Sequence, residues 1–172
     1  MRSALIATAL LCATAAAWAH GPTRQKVTES VAIAAPPEVV WSRIKDFGAL
    51  QTWHPAVASS ENTAGNQAGS LRTLHLKGGG TIVEELTRHS DPDRTLAYRM
   101  KDPGPVPVSN YSAILTVSQG EGGSVVEWKG AFYRGDPNNN PAPDRNDEAA
   151  VAAVTGIYKS GLASLKQLVE GK

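Results

Sequence analysis

Hydrophobic and polar residues alternate in several separate stretches of the chain, and this two-residue period is typical of half-buried β-strands. Most of these stretches end at glycine, proline, asparagine or aspartate residues, which are common in turns. Connections as short as these favour antiparallel pairing between neighbouring strands. The pattern predicts seven strands, over residues 27–33, 57–63, 70–77, 81–88, 96–101, 111–118 and 124–134.

Three other stretches have the character of helices. The first opens at Pro36-Pro37-Glu38, because proline is tolerated in a first helical turn and a carboxylate there suits the helix dipole. Gly48 is expected to end it, and a second short helix is predicted over residues 49–53. The third is long and begins at Asp147; its apolar stripe recurs at steps of three and four, at Val151, Val154, Tyr158, Leu162, Leu165 and Val169.

The order of these elements predicts the fold class. One strand, two short helices, six strands and one long helix form an α+β arrangement. A long amphipathic helix needs an apolar surface, and the sheet is the only candidate. We therefore expect one domain over residues 20–172, a helix-grip fold in which a curved antiparallel sheet of about seven strands wraps around the C-terminal helix.

The first half of the long helix is built from small residues: Ala149, Ala150, Ala152, Ala153, Thr155 and Gly156. Small side chains either let the helix approach the sheet closely or leave a space between the two. The second interpretation predicts a pocket beside Gly156 that is mostly apolar with a few polar groups, as ligand sites usually are.

The amino terminus has the features of an export signal. Arg2 precedes an uncharged, mostly apolar run, and Ala17-Trp18-Ala19 fits the small-x-small cleavage rule. The run is too short to span a membrane. We expect residues 1–19 to be a signal peptide cleaved after Ala19, which leaves a mature chain in the periplasm, if the source is bacterial, with no membrane anchor.

The charge balance and the motifs exclude several classes of protein. Seventeen Lys and Arg residues against sixteen Asp and Glu residues give a net charge of +1, which argues against a nucleic-acid partner. The lone cysteine, Cys12, falls within the predicted signal. The chain has no Gly-x-Ser-x-Gly elbow and no phosphate-binding glycine loop. The sequence thus predicts no catalytic residues, no cofactor and no metal site.

Several side chains are candidates for contact with a ligand. His54 lies at a predicted corner, where it is either a ligand contact or proton carrier, or simply a histidine stacked on Trp53. Glu84 and Glu85 must point to opposite faces of their strand, and the pattern does not decide which one faces inward. A buried carboxylate needs a partner. The candidate ligand-binding residues are Trp53, His54, Arg72, Glu85, Tyr98, Arg99, Tyr111, Trp128 and Gly156.

The order and spacing of several short motifs resemble a known superfamily. The motifs are residues 35–41, the Trp53-His54-Pro55 triplet, Glu85, Tyr98, Trp128 and the Gly161-Leu162-x-x-Leu165-Lys166 pattern. Together they resemble the START/Bet v 1-like (SRPBCC) superfamily of helix-grip proteins, particularly its polyketide cyclase/dehydrase-like branch. This resemblance implies a ligand-binding cavity between sheet and helix.

Four further segments suggest a closer resemblance. Residues 20–22, 76–80, 132–136 and 146–151, together with the export signal, resemble the periplasmic accessory proteins of methanol oxidation. That resemblance implies a non-enzymatic partner that helps methanol dehydrogenase pass electrons to its cytochrome c. Two alternatives remain open: a carrier or sensor of a small apolar ligand, and a cyclase- or hydratase-like enzyme in which His54, Glu85 or Arg99 handles protons.

Overall fold

A computed structural model describes residues 21–171 of the chain. The predicted signal peptide lies outside the described residues. The elements are β1 (Gln25–Ile33), α1 (Pro37–Ile44), a 3₁₀ helix (Phe47–Thr52), β2 (Val57–Asn62), β3 (Leu71–Leu76), β4 (Thr81–Ser90), β5 (Thr95–Asp102), β6 (Val108–Gly120), β7 (Gly123–Arg134) and α2 (Asp147–Glu170).

All seven strands form one antiparallel sheet in the order β1-β7-β6-β5-β4-β3-β2. Strands β2 to β7 form a meander, and β1 pairs with β7 at the end of the sheet away from β2. The long helix α2 packs on the inner face, mainly against β1 and β7. The predicted helix-grip fold is confirmed.

Helix α2 has well-defined ends. The Asn146 side chain accepts a hydrogen bond from the Ala149 amide (2.8 Å), and Gly171 closes the helix in a left-handed conformation with φ of 69°. The predicted apolar stripe faces the sheet, although Val151 and Val169 are only half-buried. The buried positions of the helix are Ala150, Val154, Tyr158, Gly161, Leu162 and Leu165.

Several element boundaries differ from the prediction by one to three residues, and two of the differences have a clear structural cause. Gly48 does not separate the short helices, because the 3₁₀ helix already begins at Phe47, where the Asp46 carboxylate accepts a hydrogen bond from the Gly48 amide (2.9 Å). Strand β6 begins at Val108, three residues before the predicted start. The register with β7 shifts between Ser109 and Ser112, and such a bulge hides the alternation on which strand prediction depends.

A buried arginine fixes the connection between the sheet and α2. Arg134 forms an ion pair with Asp147 in the first turn of the helix (3.1 Å) and donates to the carbonyl oxygens of Asp136 and Asn138. These bonds hold the loop of residues 135–146 against the end of β7. Within residues 21–171, no helix has the length and apolar character that crossing a membrane requires.

Candidate functional site

A cavity of about 90 Å³ lies between the inner face of the sheet and α2. An engineered apolar cavity of about 150 Å³ holds the six non-hydrogen atoms of benzene, so a cavity of about 90 Å³ encloses about four. Because this cavity is partly open at its edge, a slightly larger molecule can bind with one end at the opening. The lining is mostly apolar, including Leu50, Val57, Leu74, Ile82, Val106 and Ile157. The side chains with polar groups in the lining are His54, Glu84, Tyr98, Tyr111 and Trp128.

The cavity does not lie beside Gly156, where the small residues in the first half of α2 had suggested a pocket. Gly156 is exposed and nothing lies within 4 Å of the position that its β-carbon would occupy. A helix turns about 100° per residue, so Gly156 lies nearly opposite the buried Val154 and Tyr158. The prediction that Gly156 lines the pocket is wrong, and the wall that α2 contributes is Ile157.

Glu84, not Glu85, is the inward-facing carboxylate. Glu84 is 2% exposed, and its Oε2 atom lies 2.6 Å from Nε of the equally buried Arg72. Arg72 also donates to the Phe47 carbonyl oxygen (2.9 Å), and its guanidinium lies 4.2 Å from the centroid of the Phe47 ring. Burial raises the pKa of the Glu84 carboxyl, and the charge and hydrogen bond of Arg72 act in the opposite direction.

Two predicted site residues lie on the outer face of the sheet. Glu85 forms an ion pair with Arg99 (2.9 Å) and lies 3.5 Å from Lys101. The hydrogen bond from Arg99 is the main reason why the pKa of Glu85 is lowered. Because neighbouring residues of a strand point to opposite faces, the inward position of Glu84 places Glu85 outside. The predictions that Glu85 and Arg99 contact a ligand in the cavity are therefore wrong.

His54 joins the corner after the 3₁₀ helix to α2. Its Nε2 atom lies 3.0 Å from the Ile157 carbonyl oxygen, and its Nδ1 atom accepts a hydrogen bond from the Ala56 amide (3.2 Å). This pattern assigns the proton to Nε2, which donates to Ile157. Burial lowers the pKa of His54; the bond to Ile157 raises it, and the charge of Arg72 lowers it further. The imidazole is therefore neutral at pH 7.

The neutral state of His54 predicts a loss of stability in acid. The fold favours the unprotonated ring. The contribution of His54 to the free energy of unfolding is therefore complete above the ordinary pKa of about 6.5 and is lost as the pH falls below that value. The variant His54→Gln can still donate to the Ile157 carbonyl but cannot titrate. Chemical denaturation of both proteins between about pH 7 and pH 5 should show a shallower slope for the variant. An unchanged slope would assign the acid sensitivity to other groups.

An aromatic cluster forms one wall of the cavity. The indole nitrogen of Trp128 donates to the Tyr98 hydroxyl (3.0 Å), and the hydroxyl groups of Tyr111 and Tyr158 are hydrogen-bonded to each other. Trp128 stacks on Tyr158 with 4.4 Å between ring centroids, and Trp53 packs against Trp128 at 5.6 Å. Burial raises the pKa of all three tyrosines, so their hydroxyls stay protonated.

Close approach within this cluster requires glycine at two positions. A β-carbon at Gly161 would lie 2.6 Å from Cδ2 of His54 and 3.0 Å from Cζ3 of Trp128. A β-carbon at Gly130 would overlap the Tyr158 hydroxyl. The two glycines allow α2 to bring Tyr158 and the backbone of Ile157 close enough to bond to the other wall.

The proline-rich loop between β5 and β6 forms a rim of the cavity. Its Val106 side chain lines the cavity, and Pro105 lies close to Gly80 in the turn between β3 and β4. Gly104 has φ of 54°, and a side chain there would overlap the Thr81 carbonyl oxygen. Pairing between β5 and β6 ends at Arg99 and Ser112, so the loop closes the sheet where the two strands separate.

The nine predicted site residues thus fall into three groups. The four that line the cavity are His54, Tyr98, Tyr111 and Trp128, and their role in binding stays a prediction. Two lie behind the lining and hold it in place: Arg72 against Glu84, and Trp53 against Trp128. Three lie outside it: Glu85, Arg99 and Gly156.

The sequence left open whether Glu84 or Glu85 faces inward, and it did not indicate Ile157 or the other apolar residues of the lining. The only sequence signal for Glu84 was its adjacency to Glu85, and an isolated half-buried isoleucine gives no signal of a site. Within residues 21–171, no three His, Cys, Asp or Glu side chains are close enough together to hold a metal ion.

Comparison with known proteins identifies relatives of this fold. Residues 24–170 match the family model described as polyketide cyclase/dehydrase and lipid transport. The abscisic acid receptor PYL7 of Arabidopsis thaliana is 30% identical over 101 residues, which cover 55% of this chain. The match spans 47% of the receptor, so the chain spans about half the length of that curated relative.

Solved structures resemble most of the chain. The protein XoxI of Bacillus cereus is 31% identical with a TM-score of 0.70, over 86% of this chain and 95% of that one. The Zhui aromatase/cyclase from Streptomyces sp. R1128 has a TM-score of 0.67 over 86% of this chain and 94% of that one. Its identity is 16%, so this likeness concerns the fold alone.

Proposed function

We propose that this chain, which belongs to the polyketide cyclase/dehydrase and lipid transport family of the START/Bet v 1-like superfamily, is a non-enzymatic binding protein for a small, mostly apolar molecule. The observation that carries this proposal is the cavity of about 90 Å³ beneath Ile157. Apolar walls with a few polar groups that fix orientation are typical of ligand sites.

The polar groups around the cavity support binding rather than catalysis. A general acid or base needs a pKa near the working pH and a free path to the reacting atom. Both nitrogens of His54 are already bonded to backbone groups. The Tyr98 hydroxyl accepts a hydrogen bond from Trp128, and burial raises the pKa of this hydroxyl away from the working pH. The Tyr111 and Tyr158 hydroxyls are bonded to each other. These side chains hold the walls together.

The cyclase-like alternative loses two of its three proposed proton carriers. Glu85 and Arg99 are paired with each other on the outer face, away from the cavity. His54 remains at the cavity, but its neutral ring is held by Ile157 and Ala56. The aromatase/cyclase match extends to the fold alone, so nothing in it assigns an activity to this chain.

Filling the cavity from α2 tests the proposed binding site. Ile157 is half-buried and lines the cavity, so Ile157→Phe should occupy part of the space and weaken binding of a small probe such as cyclopentanol at least about tenfold. The matched control is Val151→Phe, at a half-buried position of the same helix that does not line the cavity. Affinities measured by ligand-observed NMR should fall only for Ile157→Phe. Equal losses in both variants would contradict the site.

A second candidate role is that of an exported, periplasmic accessory protein of methanol oxidation, like MxaD. Two of the segments that suggest this resemblance, residues 132–136 and 146–151, meet at one corner through the ion pair of Arg134 with Asp147. The two segments are therefore neighbours in the fold. Affinity capture with methanol dehydrogenase and its cytochrome c tests this role; retention of neither, with electron transfer unchanged on addition, would argue against it.

A further inference from the structure

One carboxylate oxygen at the cavity has no partner. Glu84 uses Oε2 to bond to Arg72, whereas no hydrogen bond to its Oε1 atom is found among residues 21–171. Within the same range, the unpartnered side-chain atoms that are fully enclosed are Ser60 Oγ, Ser124 Oγ and Asp147 Oδ1. Glu84 Oε1 is not one of them, so it reaches accessible space. Because Glu84 is 2% exposed and lines the cavity, that space is the cavity itself.

Each of the other polar groups of the lining already has a hydrogen-bond partner within the protein. The hydroxyls of Tyr98 and Tyr111 are bonded within the aromatic cluster, and both His54 nitrogens are bonded to backbone groups. A carboxylate oxygen can only accept a hydrogen bond when ionised. The cavity therefore favours a ligand that donates one hydrogen bond and is otherwise apolar.

The charge of the site disfavours ionic ligands. Arg72 and Glu84 are 2.6 Å apart and are both buried, so together they carry no net charge. A bound ammonium group would leave one excess positive charge in the interior, and a bound carboxylate would leave one excess negative charge. Burial of an uncompensated charge is costly. A neutral donor adds no charge to the interior.

We propose that the ligand class of this cavity is a small neutral alcohol whose hydroxyl group donates to Oε1 of Glu84 while its hydrocarbon part contacts the apolar walls. This inference rests on the proposed binding function and specifies its ligand. The Arg72–Glu84 pair holds the acceptor oxygen in place. The size of the cavity limits the enclosed part of the alcohol to about four non-hydrogen atoms, and any further atoms lie at its opening.

Four small probes of similar size separate this proposal from simple apolar binding. Cyclopentanol carries the donor, methylcyclopentane is its apolar counterpart, and cyclopentylammonium and cyclopropanecarboxylate carry opposite charges. Both charged probes should bind the wild-type protein at least about tenfold more weakly than cyclopentanol. Tighter binding of either one would overturn the proposal.

A double variant removes the acceptor without leaving a buried charge. Arg72→Met/Glu84→Leu replaces the ion pair with apolar side chains, a change that other proteins often tolerate. The affinity of cyclopentanol relative to methylcyclopentane should fall about tenfold or more from wild type to this variant, because a hydrogen bond to a charged group is lost. Taking the ratio cancels any change in cavity shape that affects both probes.

A direct readout in the wild-type protein covers the case in which the double variant does not fold. The ¹³C resonance of the Glu84 carboxyl should shift when cyclopentanol is added and stay in place with methylcyclopentane. If methylcyclopentane binds but neither the affinity ratio nor this resonance distinguishes the two probes, the alcohol proposal fails and the binding proposal stands. If no probe binds, both proposals fail.

Discussion

Replacing Arg72 with methionine (Arg72→Met) is expected to lower the free energy of unfolding by about 3–5 kcal/mol at neutral pH, because Glu84 is left buried with no compensating charge. The variant also loses the bond from Arg72 to the Phe47 carbonyl and the stacking of the guanidinium on two aromatic rings. Urea or guanidinium denaturation, monitored by tryptophan fluorescence, measures the change.

The pH dependence of Arg72→Met identifies Glu84 as the cause. Burial raises the pKa of Glu84, and the variant removes the arginine that opposes this rise. The fold of the variant then favours the protonated acid. The contribution of Glu84 to the free energy of unfolding is therefore complete below the ordinary pKa of about 4.3 and is lost as the pH rises above it. The deficit relative to wild type should therefore be smaller near pH 4 than near pH 7. A deficit that does not change with pH would contradict this explanation.

The double variant Arg72→Met/Glu84→Leu should be more stable than Arg72→Met alone. Removing the carboxylate removes the uncompensated charge, so the two substitutions are strongly non-additive. If Glu84→Leu instead lowers the free energy of unfolding further when it is added to Arg72→Met, the single variant was destabilised through lost packing rather than through the charge of Glu84.

Two glycine-to-alanine substitutions in α2 are expected to have effects of opposite sign. Alanine normally stabilises a helix interior relative to glycine. At Gly161, however, the new β-carbon would lie 2.6 Å from the His54 ring and 3.0 Å from Trp128. Gly161→Ala should therefore lower the free energy of unfolding by about 1–3 kcal/mol, because the well-packed interior must shift to make room.

Gly156→Ala is the matched control, five residues earlier in the same helix. No atom lies within 4 Å of its new β-carbon, and the site is exposed. This variant should raise the free energy of unfolding by about 0.5–1 kcal/mol. Thermal denaturation of both variants and the wild-type protein shows whether each substitution raises or lowers the stability. Stabilisation by both substitutions would show that His54 and Trp128 are not held close to α2.

The fold could be predicted because its elements are encoded locally. Strand alternation, turn residues and the helical stripe each report on a few neighbouring positions, and their order allows few arrangements. The long helix was found through Val154, Tyr158, Leu162 and Leu165, which all face the sheet. The start of β6 was missed because the bulge next to Asn110 breaks the two-residue period.

The site was harder to predict because it depends on register between distant segments. Glu84 and Glu85 look equivalent in sequence, and only the pairing of Glu84 with Arg72 on the neighbouring strand brings it inside. Gly156 was placed at the cavity from residue size alone. The rotation of α2 that turns Gly156 to solvent and Ile157 to the cavity follows from contacts made elsewhere along the helix.

A methyl NMR titration with cyclopentanol tests most directly whether the cavity is a binding site. Saturable shifts are predicted for methyl groups that line it, such as those of Val57, Leu74 and Ile82. The exposed Val39 and Ile114 serve as internal controls and should not shift. Shifts at the exposed methyls alone, or no saturable shift at any lining methyl, would contradict a ligand site between the sheet and α2.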